Sequence, residues 1–315
     1  MVVYILKRFV FIFITLLLAS IIIFSITQFL PGDVARIILG QFATDTAIEN
    51  LREELGLNRA LHIQYLDWAG NFVRGDWGNS LTSKLPVRPM VMARLSNSAM
   101  LAGMALLIYV PLGIILGVIA ALKRDKWPDH LISGVSMAFV GLPEFVSGLL
   151  LIAFLAIGLQ WFPANSSINP DSTFLEALPF LILPAITVSL TGLGYIARMT
   201  RSGTIDVLRN DYVRAADLKG LPAWQVLIRH TLRNSLLPTV TVVAMGIGWL
   251  MGGLIVTEAV YGYPGLGRLL VYAIQRQDLP LIQAGSMIVV AIYSFSNLTA
   301  DILYGLLNPR IRVGK

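Results

Sequence analysis

The side chains that could do chemistry are few in this 315-residue chain, and they are far apart. Its three histidines, His62, His130 and His230, never fall at the helical spacing that holds zinc, which excludes a His-Glu-x-x-His arrangement. No Gly-x-Ser-x-Gly turn presents a nucleophilic serine. Cysteine is absent, which removes disulfides, thiolate metal sites, iron–sulfur ligation and a thiol nucleophile. The nearest approach to a phosphate-binding loop is Gly262-Tyr-Pro-Gly-Leu-Gly-Arg268-Leu269. It has arginine in place of the lysine and leucine in place of the magnesium-binding hydroxyl. Pro264, Gly265, Gly267 and Arg268 therefore read as a glycine-rich turn at a membrane surface. Three carboxylates lie in apolar stretches: Glu144, Glu258 and Asp301. Such groups point by default to an ion or proton path. Here each sits near the end of an apolar run, which favours a gate or a structural hydrogen bond to a neighbouring helix.

The elements that position these residues follow from composition. The chain is 56% hydrophobic and 13% charged, with mean hydropathy +0.73, whereas a soluble domain is about 45–50% apolar and about 25% charged. This is an all-α integral membrane protein. Its net charge of +6 reflects basic loops, with no nucleic acid implied. A membrane helix needs about 20 apolar residues. Six spans meet that length, at roughly Phe9–Leu30, Ser98–Leu122, Leu131–Leu159, Leu178–Ala197, Leu236–Tyr261 and Leu281–Leu307. The first is too long for a signal-peptide core and lacks a small-residue cleavage site. The segments around Lys7, Lys123, Arg198–Arg233 and Arg310 hold most of the basic residues. The positive-inside rule places them, and both termini, in the cytoplasm.

Three regions result. Residues 1–30 are an N-terminal span. Residues 31–97 are an extracytoplasmic helical cap, in which Thr46-Ala-Ile-Glu49 reads as a capping box, Leu51, Leu55 and Leu57 give part of an apolar face, and Gly75-Asp-Trp-Gly78 is a turn. Residues 98–315 are a five-helix core containing a second soluble segment, 198–235, on the cytoplasmic side. In that segment helix-favouring residues run to Lys219, Gly220 suits a helix end, and Pro222 suits the first turn of a new helix. Two short helices should meet there at an angle. Ala215 and Ala216 would offer a small flat surface before the bend, and Trp224, Leu227, Ile228 and His230 would form a stripe beyond it. Such an elbow can insert into a groove on a soluble partner and transmit rigid-body motion.

This elbow resembles the coupling loop of ABC importer permeases, whose pattern is Glu-Ala-Ala, three residues, Gly, nine residues, then Ile-x-Leu-Pro. Arg214 stands at the Glu position, followed by Ala215, Ala216 and Gly220; His230, Leu232 and Arg233 stand at the last three. The whole chain is similar to the first permease of the dipeptide/oligopeptide/nickel branch. The resembling stretches are Leu30-Pro-Gly-Asp33, Gly56-Leu57 with Gln64-Tyr65, Gly75-Asp-Trp-Gly-Asn-Ser80, Tyr212-Val-Arg214, Lys219-Gly-Leu221, Arg229-His-Thr-Leu-Arg-Asn234, Thr257-Glu258, Pro264-Gly-Leu-Gly-Arg-Leu269, and Asp301 with Asn308-Pro-Arg-Ile-Arg312. Asp217 and Asn308 depart from the branch's usual residues. The resemblance implies a type I permease fold with the elbow between helices 4 and 5, in a bacterial inner membrane. It implies a second permease, two ATPase subunits that bind the ATP and Mg, and an extracytoplasmic solute-binding protein. No catalytic residue, metal or cofactor is implied in this chain. Arg214, Ala215, Ala216, Asp217, Lys219, Gly220, Leu221 and His230 would couple to the ATPases. The expected cargo is a peptide; nickel chelates, glutathione or oligosaccharides, or an ion-coupled secondary transporter, are the alternatives.

Overall fold

A computed structural model describes residues 2–29, 34–39, 43–54, 56–167 and 174–307. The resembling stretches at 30–33 and 308–312, and Leu55, lie outside these residues. Helix α1, Val2–Phe29, is followed by three short helices: α2, Val34–Leu39; α3, Asp45–Glu54; and α4, Leu61–Arg74. The bundle proper is α5, Val87–Leu122; α6, Trp127–Gly141; α7, Glu144–Leu151, running on as a π turn to Gly158; α8, Phe174–Leu208; α12, Leu237–Tyr261; and α14, Leu279–Leu307. Between α8 and α12 lie α9, Asp211–Leu218; α10, Ala223–Gln225; a π segment, Val226–Leu232; and α11, Arg233–Ser235. Helix α13, Leu266–Gln275, precedes α14.

Five helices are each long and apolar enough to cross a membrane, and α6 with α7 completes a sixth span only as a pair bent by 108°. The expected single helix over 131–159 is thus broken. Pro143 at the break lacks an N–H and disfavours helical geometry in the residue before it, and Leu142 is extended there, with ψ 127°. The second span begins at Val87, eleven residues before the sequence boundary. The fourth runs to Leu208, so the soluble elbow is shorter than residues 198–235. The capping box is also displaced: the Ala47 N–H donates to Thr44 Oγ1 at 3.3 Å, and Glu49 Oε1 accepts from Asn58 Nδ2 at 2.8 Å.

Helix α8 is the centre of the bundle and α1 its edge. Of their most apolar windows, 67% is buried in α8 and 11% in α1. Backbone contact between α5 and α8 depends on glycine. A Cβ at Gly117 would lie 2.5 Å from Ala197 O and 2.7 Å from Thr200, and one at Gly113 would lie 2.8 Å from Ile196. This is the close approach that small residues permit where water supplies no driving force. Around this seam Leu101, Ala105, Leu181, Ala185, Val188, Ile196, Leu250 and Leu254 form the core. Helix α1, apolar on all sides, packs on α14 through Gln283 Nε2 to Thr27 Oγ1 at 2.8 Å and Arg8 Nη1 to Asp301 Oδ2 at 2.9 Å. An aromatic run, Phe24, Tyr65, Trp68, Phe72 and Trp77, with successive centroids 5.1–6.1 Å apart, fixes α4 to the end of α1. The bundle therefore has a cap end, with α4 and α13, and an elbow end, with α9 to α11.

Candidate functional site

The elbow is built from its own small core. Val213, Ala216 and Val226 are buried against Val207, Leu208 and Leu221. Helix α9 ends because Gly220 takes φ +75°, a left-handed value that a residue without Cβ adopts at low cost. Its N–H donates to Asp217 O at 2.9 Å. Pro222 lies outside the next helix rather than in its first turn, with ψ 142°, and α10 starts at Ala223. The return arm underwinds into the wider π segment, where Thr231 Oγ1 donates to Val226 O at 3.2 Å. Asn234 Nδ2 donates to the Tyr212 hydroxyl at 2.9 Å and ties the two arms together.

This geometry sorts the residues singled out in the sequence. Arg214, Ala215, Asp217, Lys219 and Gly220 are exposed, while Leu221 and His230 are half-buried. Ala216 is not part of an open surface: it is buried in the elbow core. The exposed apolar groups are Tyr212, Leu218, Trp224 and Ile228, with Leu218 82% and Trp224 61% exposed. Large apolar side chains left exposed on a loop with its own core suit a surface that a partner covers.

The elbow and the ends of the bundle helices beside it are fastened by contacts that no motif announced. A Cβ on Gly203 would lie 2.5 Å from Ser235 O, so α8 and α11 touch backbone to backbone. The Thr200 and Thr239 hydroxyls meet at 3.0 Å. Arg201, two turns before the end of α8, holds Asp129 at the start of α6 through Nε and Nη2, at 2.5 and 2.6 Å. Asp129 also accepts from the Asp125 N–H and the Ser133 hydroxyl. Spacing along the chain cannot reveal a pair 72 residues apart; two charges lying close to apolar runs were the one available signal.

The intramembrane carboxylates are mostly occupied. Glu258 is fully buried at the cap end. Its Oε1 accepts from Ser98 Oγ at 2.5 Å, and its Oε2 accepts from the Arg268 N–H at 3.1 Å. Ser98 Oγ in turn accepts from the Leu266 N–H at 2.8 Å. Glu258 and the glycine-rich turn, separate in the sequence, are therefore one unit: the carboxylate caps the N-terminus of α13 from the neighbouring helix, where amide groups and the helix dipole favour an anion. A Cβ at Gly265 would overlap that carboxylate, and one at Gly267 would overlap Ile255. Pro264 O accepts from Asn97 Nδ2 at 2.9 Å, and Arg268 Nη1 donates to Gly262 O. Asp301 pairs with Arg8. Glu144, at the α6–α7 break, lies against Gly253, whose missing side chain makes room for it, and its Oε2 has no partner among the described residues. Among the described residues no cluster of His, Asp or Glu could hold a metal ion.

A helical bundle of this shape, with five or six apolar spans, carboxylates mostly held by neighbouring groups and a rigid elbow with exposed apolar side chains, is a multi-pass membrane protein. The comparisons make it specific. Residues 113–313 match the family described as binding-protein-dependent transport system inner membrane component, and residues 1–99 match its N-terminal membrane component. The chain is 36% identical over 310 residues to a probable peptide ABC transporter permease protein, y4tP, of Sinorhizobium fredii, covering 98% of this chain and 99% of the relative. It is 36% identical over 309 residues to the glutathione transport system permease protein GsiC of Escherichia coli K12, covering 98% of each. The fold is that of a chain of the MetNI methionine ABC transporter, with TM-score 0.51 at 14% identity over 70% of this chain and 96% of that one. The chain belongs to the binding-protein-dependent transport system inner membrane components and is an ABC importer permease subunit of the dipeptide/oligopeptide type.

Proposed function

We propose that this chain pairs with a second permease subunit to form the pathway by which di- and oligopeptides, delivered by an extracytoplasmic solute-binding protein, cross the bacterial inner membrane. On this reading both termini and the elbow face the cytoplasm, following the basic excess of that end. Two ABC ATPase subunits would bind and hydrolyse ATP with Mg; this chain would bind no cofactor, metal or nucleic acid and carry no catalytic residue. ATP-driven closure of the ATPases would displace the elbow as a unit, and α8, in backbone contact with both α5 and α11, would pass that displacement into the bundle.

The observation that carries this reading is the elbow's exposed apolar set, Leu218, Trp224, Ile228 and Tyr212, on a frame fixed by its own core. The relatives named for peptide and for glutathione transport, the latter cargo itself a short peptide, support the cargo class. The test is affinity purification of the tagged chain from mildly solubilised native membranes, with mass spectrometry of what accompanies it. A second permease and ATPases bearing nucleotide-binding motifs are the expected companions. The chain running alone or only with itself across several detergents contradicts the proposal.

A further inference from the structure

An apolar cavity of about 390 Å³ opens between α5, α8, α12 and α14. The lining side chains that carry a polar group are those of Tyr109, Tyr195, Tyr293, Trp249 and Asn297. All five residues lie near the middle of their helices, each of which is long and apolar enough to cross a membrane. Tyrosine and tryptophan facing lipid collect at the two interfaces, and polar groups at mid-depth turn toward protein or a wetted space. Among the described residues none of these five groups has a hydrogen-bond partner. Even so, Tyr195, Trp249 and Tyr293 are about half exposed in the single chain. The rings of Tyr195 and Trp249 meet edge to face, with centroids 6.2 Å apart. Glycine makes the room: a Cβ at Gly192 would press on the Tyr109 ring at 2.9 Å, and Gly246 faces the Tyr109 hydroxyl. No charged side chain lines the cavity.

We propose that this cavity is this chain's share of the solute pathway at mid-membrane, contacting an amide-bearing solute by hydrogen bonds from Tyr109, Tyr195, Tyr293 and Asn297 and by ring contact with Trp249. Selection here is by size and hydrogen bonding, not by ion pairing. An amide-bearing solute satisfies donors and acceptors that neither lipid nor an apolar partner helix can satisfy. The inference deepens the pathway function proposed above and rests on it.

The chain's lack of cysteine allows a direct test on the assembled transporter in liposomes, with the unsubstituted complex as background. Tyr195→Cys and Asn297→Cys are compared with Leu107→Cys, which is 78% exposed at the same depth on α5 but outside the cavity. A charged, membrane-impermeant methanethiosulfonate should modify residues 195 and 297 at least about tenfold faster than 107. Turnover with ATP and dialanine-loaded binding protein should change the rate at both sites. Rates at 195 and 297 equal to that at 107 overturn the proposal and assign this face to lipid or to a sealed subunit contact. A second variant, Gly246→Val, narrows the cavity where a Cβ has ordinary contact at 3.6 Å. It should cut uptake of trityrosine at least about fivefold more than uptake of dialanine. An unchanged ratio contradicts a role in selection. Failure to carry dialanine at all would count against the peptide reading, while the labelling rates without solute would still report whether the cavity is a water path.

Discussion

Arg201 grips Asp129 with two parallel hydrogen bonds, Nε to Oδ1 at 2.5 Å and Nη2 to Oδ2 at 2.6 Å, across the elbow end of the bundle. The carboxylate is buried while the guanidinium keeps about a third of its surface. A fork-to-fork pair fixes direction as well as distance. It therefore sets the angle between the start of α6 and the part of α8 that leads into the elbow. Removing one partner of a buried pair costs about 3–5 kcal/mol, and the exposure of Arg201 puts this case near the lower bound. Asp129→Ala should lower the thermal midpoint of the purified complex. Arg201→Lys keeps the charge but loses the fork; it should change stability less, yet weaken the dependence of ATP hydrolysis on loaded binding protein. Equal coupling in Arg201→Lys and the parent would reduce the pair to a structural staple.

Glu258 and Gly265 are matched by exclusion. The carboxylate occupies the volume that a Cβ at Gly265 would need. Gly265→Ala should therefore destabilise the cap end, as overpacking does by about 1–3 kcal/mol. Glu258→Ala should also destabilise it, by about 1–3 kcal/mol for each donor left unmet among the Ser98 hydroxyl and the α13 amide. The double variant should cost less than the sum, because the alanine methyl fills space vacated by the carboxylate. Thermal unfolding of all four forms in one detergent measures the difference, and strict additivity would disprove the match.

Gly117 faces Ala197 O and Thr200 with no room for a methyl group. The neighbour at 2.5 Å is backbone, which cannot rotate aside. Gly117→Ala should force α5 from α8 and lower stability by about 1–3 kcal/mol. Gly103 has nothing within 4 Å, and Gly103→Ala should be neutral or slightly stabilising through helix propensity. Similar midpoints for the two variants would contradict the seam.

The span count and the elbow were legible in the sequence because each has a local cause: apolar length for the spans, and Gly220 with Pro222 for the bend. The break after Gly141 was less so, since Pro143 lies in an apolar run that reads as continuous. The buried state of Ala216 was not visible, because an alanine fits a surface and a crowded core alike. Only folding α9 onto the π segment decides between them. Glu258 was found as a carboxylate and the turn at 264–268 as a glycine pattern, but their union needs α12 and α13 in place. Asp129 with Arg201, and the five polar groups around the central cavity, come from helices far apart in the chain.

The elbow's exposed face tests the central claim most directly, because Leu218 and Trp224 contribute little to the fold. Ala216→Arg is a poor probe, since it disrupts the elbow core, and Gly220→Pro removes an N–H and forbids the φ of +75°. The measurement is ATP hydrolysis and dialanine uptake by the reconstituted transporter carrying Leu218→Asp together with Trp224→Asp. The account predicts an intact permease fold, loss of ATPase subunits on purification, and uptake reduced at least about tenfold. Normal copurification with normal uptake would contradict the elbow's role as the coupling surface.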